Sequence, residues 1–245
     1  MLLCLAVFLF SGWQVYGILR EYGEAEAQYE QLEQYVSAPL PSPTTASSPD
    51  VPTPAEVTPS LTVDFDALSQ INPDIVAWLV IEGTAINYPV VQGQNNDYYL
   101  NHQFDKGYNS AGCLFLDAAN SRTFDDLNSV IYGHYMKNGT MFSALSGYKA
   151  QSFYDEHPTA LLVTPAGIYC VQFFSGYVSD TASSAWQQDF SAEEYEQWLE
   201  ELVERSCFSS DISPTAEHRV LTLSTCSYEF ENARFVLHAI VSEIA

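Results

Sequence analysis

Cys226 ends the run Thr222-Leu223-Ser224-Thr225-Cys226, and Arg234 stands eight residues beyond it. A thiol and a guanidinium at that spacing can do chemistry if a hairpin brings them to one end of a sheet. Val220–Thr225 is short, β-branched and apolar, and Phe235–Val241 is a second apolar run. The seven residues between Cys226 and Arg234 are polar enough to connect two antiparallel strands. A thiolate persists near neutral pH when positive charge is close, and a tetrahedral oxyanion needs a fixed donor. A buried core cysteine beside a surface arginine fits the same spacing, because free cysteine is among the most buried residue types.

A thiol site also needs a base, and the chain offers five histidines. His102 in a polar loop and His157 before Pro158 are expected at the surface. His218 sits at a strand entry among polar neighbours. His238 lies inside the last strand, where a packed or exposed ring is the default. His134 differs, because it follows the apolar run Val130-Ile131-Tyr132 and Gly133 and precedes Met136-Lys137-Asn138-Gly139-Thr140-Met141-Phe142. A histidine at a strand end, beside a flexible glycine, can face a pocket. The five cysteines (Cys4, Cys113, Cys170, Cys207, Cys226) show no CxxC or Cys/His ligand spacing. Neither a zinc site nor a disulfide framework is indicated, and no metal or cofactor is expected.

The elements that must position these groups follow from the order of the chain. Met1–Leu19 carries no charged side chain, and at about 1.5 Å per residue it matches roughly the 30 Å hydrocarbon core. A signal peptide, a membrane anchor and a buried helix all fit. A basic n-region and a clear Ala-x-Ala are missing, so an uncleaved anchor over 1–20 is the preferred reading, although Arg20 mildly opposes the orientation. Glu21–Val36 reads as a juxtamembrane helix and Ser37–Ser60, dense in Pro, Ser and Thr, as an extended spacer. The folded domain is expected over 61–245.

Within that domain, Asp64–Ile71 has helical spacing and stops at Asn72-Pro73. Strands are expected at Val76–Ile81, Ala85–Val91, Gly112–Leu116, Val130–Tyr132, Ala160–Thr164, Ile168–Val178 and the closing pair, with a short helix at Met141–Tyr148. Ser191–Ser206 is the clearest helix, opened by a Ser191/Glu194 capping box and striped by Tyr195, Trp198, Leu199 and Val203. About eight strands with few helices predict a mainly β fold, a closed or nearly closed barrel. Lys+Arg is 8 against Asp+Glu 31, a net charge of -23. With no basic patch to displace counterions, nucleic acid is excluded as a partner. The acidic balance could favour an amine-bearing co-substrate, but solubility is its plainer reason.

The Thr222–Cys226 segment with Arg234 resembles the signature of the sortases, and Ile131-Tyr132-Gly133-His134 through Met141-Phe142 resembles the histidine segment of class B in particular. The helical entry at Asp64–Ile71 and the helix between the sixth and seventh barrel strands fit the same class. The likeness spans roughly Asp64–Ile244. It implies an eight-stranded β-barrel and a cysteine transpeptidase held by an N-terminal single-pass anchor on the outer face of a Gram-positive cell. Cys226 would be the nucleophile, His134 the general acid/base, and Arg234 the group that holds substrate and stabilises the oxyanion. Asn96 and Leu100 match a segment lining the substrate pocket, and Tyr132 and Ser224 flank the catalytic residues. No calcium site carries over. The implied partners are secreted proteins bearing a C-terminal sorting motif, cleaved after Thr, and an amine acceptor from a peptidoglycan precursor or a neighbouring protein.

A free thiol titrates near pH 8.5 and a free imidazole near 6.5, so the thiolate–imidazolium pair is a minority at neutrality and slow turnover is expected. Two other classes share these features: a cysteine peptidase releasing product to water, and an anchored binding module with a structural Cys226. The L,D-transpeptidases, also thiol enzymes on β-rich folds, are excluded because their Ser-His-Gly-Cys core is missing.

Overall fold

A computed structural model of the chain describes residues 2–37 and 61–244. The expected spacer at 38–60 lies outside the described residues. Eight strands close into a barrel: β3 (Ile75–Val80), β4 (Asn87–Val91), β5 (Leu114–Leu116), β6 (Asn128–Tyr132), β7 (Thr159–Thr164), β8 (Gly167–Ser179), β9 (Arg219–Cys226) and β10 (Arg234–Glu243). Their order round the barrel is β10-β8-β7-β3-β4-β5-β6-β9. Two pairs, β4/β5 and β6/β9, are parallel, and the rest are antiparallel. Parallel neighbours need long connections, and those connections carry most of the irregular chain around the site.

The closing strands show why this sequence makes a barrel. Leu221 and Leu223 on β9, and Phe235, Leu237 and Ala239 on β10, point into one buried cluster. The alternate residues Val220, Val236 and Ile240 point outward, under a helix. Period-two apolar sets on both faces mark strands buried on both sides. The covering helix is α4 (Ala192–Arg205), between the sixth and seventh barrel strands, and its capping box of Ser191 and Glu194 is present. The stripe that faces the barrel is Tyr195, Trp198, Leu199 and Leu202. Val203, assigned to the stripe from sequence, is 44% exposed. Helical rotation of about 100° per residue places 202, four after 198, in the seam and turns 203 past it.

At the N-terminal side, α2 (Phe65–Ile71) is capped by Asp64, whose side chain accepts from the Ala67 amide at 2.9 Å. The short strands β1 (Val36–Ser37) and β2 (Thr62–Val63) pair antiparallel. Ser37 and Thr62 therefore lie side by side.

α1 (Leu2–Leu32) is one continuous helix. Its second half docks on the barrel through Ala25, Tyr29 and Leu32, all buried at helical spacing. Tyr29 donates to the Gly112 carbonyl at 2.5 Å and meets Tyr88 edge-on. Asn109, Asn138 and Asn87 bond Glu21, Glu26 and Glu33 of the same helix face or the turn after it. The segment read as a juxtamembrane helix is thus part of the packed body. The expectation of a membrane-spanning anchor over 1–20 is not supported: among the described residues, no helix is long and apolar enough to cross a membrane.

Candidate active site

Strand register places the three reactive groups. Cys226 is the antiparallel partner of Arg234 across β9 and β10. On the other side of β9, parallel β6 pairs Tyr132 with Ser224, and the Gly133 amide still donates to the Ser224 carbonyl at 3.1 Å. His134 and Cys226 each stand two residues past that last pair. Imidazole, thiol and guanidinium positions therefore run across three adjacent strands at one rim of the barrel. A cleft of about 260 Å³ opens there. All seven residues singled out from sequence (Cys226, His134, Arg234, Asn96, Leu100, Tyr132 and Ser224) line it, together with Phe115, Gly133 and Thr225.

His134 is half-buried, and its Nε2 lies 2.6 Å from the Leu100 carbonyl. A carbonyl only accepts, so Nε2 carries a proton and Nδ1 is the nitrogen free to exchange one. The backbone at His134 is fixed as well, since its carbonyl accepts from the Phe142 amide at 2.9 Å. Gly133 is needed for space rather than for flexibility. A Cβ there would sit 2.4 Å from Leu114 Cδ2 and 2.6 Å from Phe142 Cδ2.

Arg234 is half-buried, and its Nη1 donates to the Ala233 carbonyl at 3.0 Å. Among the described residues, the salt bridges use Arg20, Lys106, Lys149, Arg205 and Arg219. Arg234 is not among them, so an uncompensated guanidinium faces the cleft of a chain with net charge -23.

Cys226 is half-buried, and all five cysteines are free. Cys113 is fully enclosed, and burial pushes its thiol up to about 12. Burial also raises Cys170. Cys4 and Cys207 are exposed, so a thiol reagent will not single out Cys226 by access alone.

The other histidines stay outside the cleft. His102 stacks on Tyr98 at 4.0 Å, His157 bonds the Glu82 carbonyl, and His218 bonds Thr215. His238 is fully buried, and desolvation, with a smaller contribution from Arg205, lowers it to about 3.

The pocket residues are held by a small network. Asn96 donates to Asp117 at 2.9 Å and accepts from the Ala118 amide at 2.8 Å, while Tyr132 donates to the same Asp117 oxygen at 2.9 Å. The polar tips of Asn96 and Tyr132 are thus bonded within the protein, and Leu100 is brought beside His134 by the 3-10 turn Tyr98–Leu100.

A second cleft of about 720 Å³ shares Tyr132, Ser224 and Arg234 with the first, and Thr181–Ser184, Trp186 and Gln187 wall its far side. Sequence reading missed this wall and missed Phe115. The 180–191 connection has no periodicity, and its only signal was a tryptophan among small polar residues.

The loop after Cys226 is clamped. Lys149, at the end of the 3-10 helix Phe142–Lys149, donates to Ser227 at 3.0 Å and pairs with Glu229. This clamp ties the segment that follows His134 to the segment that follows Cys226. The Lys149 bond, then Ser227, hold the Glu229 carboxyl down at about 2. A depressed carboxyl contributes stability that is full above its unfolded value near 4.3 and fades as pH falls through about 2. Both partners are partly exposed, so the contribution is less than about 1 kcal/mol. Lys149→Met is expected to lower stability by that amount between pH 5 and 8. The difference from wild type should vanish near pH 2, as urea titrations at several pH values will show.

Comparison with known proteins follows the same line. No family model matches the chain. It is 30% identical over 247 residues to sortase B of Staphylococcus aureus, covering 100% of this chain and 96% of the relative. It is 32% identical over 239 residues to sortase B of Listeria monocytogenes, covering 96% and 92%. The chain belongs to the class B sortases. The solved Staphylococcus aureus sortase B–substrate complex superposes with a TM-score of 0.71 at 35% identity, over 74% of this sortase and 85% of that chain. A sortase is a cysteine transpeptidase, and the eight-stranded barrel expected for class B is the barrel described above.

Proposed function

We propose that this sortase cleaves a sorting motif near the C-terminus of a secreted protein, after Thr, and transfers the acyl group to an amine. Cys226 is the nucleophile, His134 the general acid and base, and Arg234 the oxyanion and substrate donor. The observation that carries this reading is the register: Cys226 opposite Arg234 on β10, with His134 level with Cys226 on the β6 side.

The Cys226 thiolate attacks the threonyl carbonyl, and the carbonyl π pair moves to oxygen, facing the Arg234 guanidinium. Collapse breaks the C–N bond, and protonated His134 delivers a proton to the departing amine. The thioester on Cys226 is then attacked by the acceptor amine, whose proton returns to His134, and the thiolate leaves. Leu100, Phe115 and Tyr132 give the first cleft apolar walls for motif side chains. The sortase B of Staphylococcus aureus forms a complex with its substrate on the same barrel, which supports a substrate-binding role for these walls.

We place the reaction at the cell surface, with a peptidoglycan precursor or a neighbouring protein as the amine source. The apolar first half of α1, exposed from Val7 to Leu19, is the part of the chain available to hold the enzyme against an apolar surface. The test is a degenerate peptide library incubated with the chain and a glycine-based amine. A ligated product is expected. Hydrolysed peptide alone, at every amine concentration, would make this a peptidase.

A further inference from the structure

The layer between β9, β10 and α4 is largely apolar, and a connected line of polar side chains crosses it. Val236, Ile240, Val220, Tyr195, Trp198, Leu199 and Leu202 form the layer. His238, Thr222 and Asn128 cross it, each fully buried. His238 pairs with Thr222 in the β10/β9 register, and β6 runs alongside with Asn128.

The hydrogen bonds run in one direction. Thr222 Oγ1 donates to Asn128 Oδ1 at 2.7 Å. Its single proton is thereby used, so at the 2.9 Å contact His238 Nδ1 is the donor and Thr222 the acceptor. With Oδ1 accepting, the Asn128 amide is oriented, and Nδ2 donates to the Gln187 carbonyl at 2.9 Å and the Ala185 carbonyl at 3.4 Å. The line ends on the two carbonyls that flank Trp186. That indole donates to Ser224 Oγ at 3.1 Å and lines the second cleft beside Arg234.

Such a line is poor stabilising material. It leaves His238 Nε2 buried with no partner, and a polar group buried without one is unfavourable against an apolar residue of the same shape. Its product is placement: the only bonds it makes outside itself are to the backbone of the cleft wall.

We propose that His238, Thr222 and Asn128 are positioning residues for substrate, fixing the 184–187 segment and its Trp186 ring as the wall against which the sorting peptide binds. This rests on the reading of the two clefts as the peptide site. None of the three touches the reacting atoms, so the effect falls on binding and leaves the chemical step alone.

Thr222→Val removes both hydroxyl bonds at constant shape, and Thr222→Ser keeps them. With the peptide selected by the library, Thr222→Val is expected to raise KM about tenfold and leave kcat within twofold. Thr222→Ser should return KM to within twofold of wild type. Without peptide, backbone hydrogen exchange across 185–187 should quicken about tenfold in Thr222→Val. Asn128→Leu, which removes the terminal donor, should reproduce the KM rise and serves if Thr222→Val does not fold.

Trp186→Ala separates this proposal from the reading beneath it. If Trp186→Ala raises KM while Thr222→Val and Asn128→Leu do not, the positioning role is overturned and the peptide site stands. If Trp186→Ala leaves KM at the wild-type value, the peptide does not bind against this wall, and both are overturned.

Discussion

Cys226→Ala is expected to abolish ligation, with a loss of about 10⁴-fold or more, while thermal unfolding stays close to wild type. The size of the effect follows from the absence of a substitute. Cys113 is enclosed and pushed up to about 12, leaving almost no thiolate near neutral pH. Cys170 is raised in the same direction. Cys207 and Cys4 are exposed, but neither lines the cleft. The fold should survive because Cys226 is the last residue of β9 and only half-buried, and Leu221 and Leu223 do the packing inside the barrel. The measurement is ligated product per hour beside a denaturation curve. Ligation above a tenth of the wild-type rate would place the nucleophile elsewhere.

Arg234→Ala is expected to lower kcat by about 10²–10³-fold, or about 2.7–4 kcal/mol, the range for losing a donor that meets developing oxyanion charge. The guanidinium opposes the thiol in strand register, belongs to both clefts, and has no salt-bridge partner among the described residues. Its bond to the Ala233 carbonyl orients the fork. Arg234→Lys should recover only part of the loss, because an ammonium offers a point charge in place of a planar pair of donors. Steady-state kinetics with the selected peptide distinguish the two roles given to this residue. A fall in kcat at constant KM is oxyanion stabilisation, and a rise in KM alone would mean that Arg234 only holds substrate.

The closing hairpin was legible because every signal in it agreed. The apolar runs Val220–Thr225 and Phe235–Val241 mark both strands, seven more polar residues separate them, and Cys226 and Arg234 fall at the same end. The capping box of α4 was equally local. What the sequence did not reveal was pairing between distant segments. The parallel match of β6 with β9 joins residues some ninety positions apart, and nothing in either strand states it. His134 was singled out by its position after a strand and a glycine, but its level with Cys226 came only from that register.

The cleft walls come from long connections whose backbone is set by single bonds, such as Asn96 to Asp117 and Asn128 to Gln187. Such bonds leave no periodic trace. The docking of the N-terminal helix on the barrel was illegible for another reason. Ala25, Tyr29 and Leu32 form an apolar line, but it is thin and set among glutamates and glutamines. The carboxylates of Glu21, Glu26 and Glu33 accept bonds from Ser110, Asn138 and Asn87, and the Glu21 backbone carbonyl accepts from Asn109.

The convergence of His134, Cys226 and Arg234 on one acyl transfer is tested most directly by trapping the acyl enzyme. The full chain carrying Cys4→Ser and Cys207→Ser is mixed with the selected peptide, and intact mass is followed before and after addition of amine. One adduct, ending at the cleaved Thr, should form on Cys226 and be discharged by amine into ligated product. It should form far more slowly in His134→Ala and Arg234→Ala. An adduct on another cysteine, or none while ligation proceeds, would contradict it.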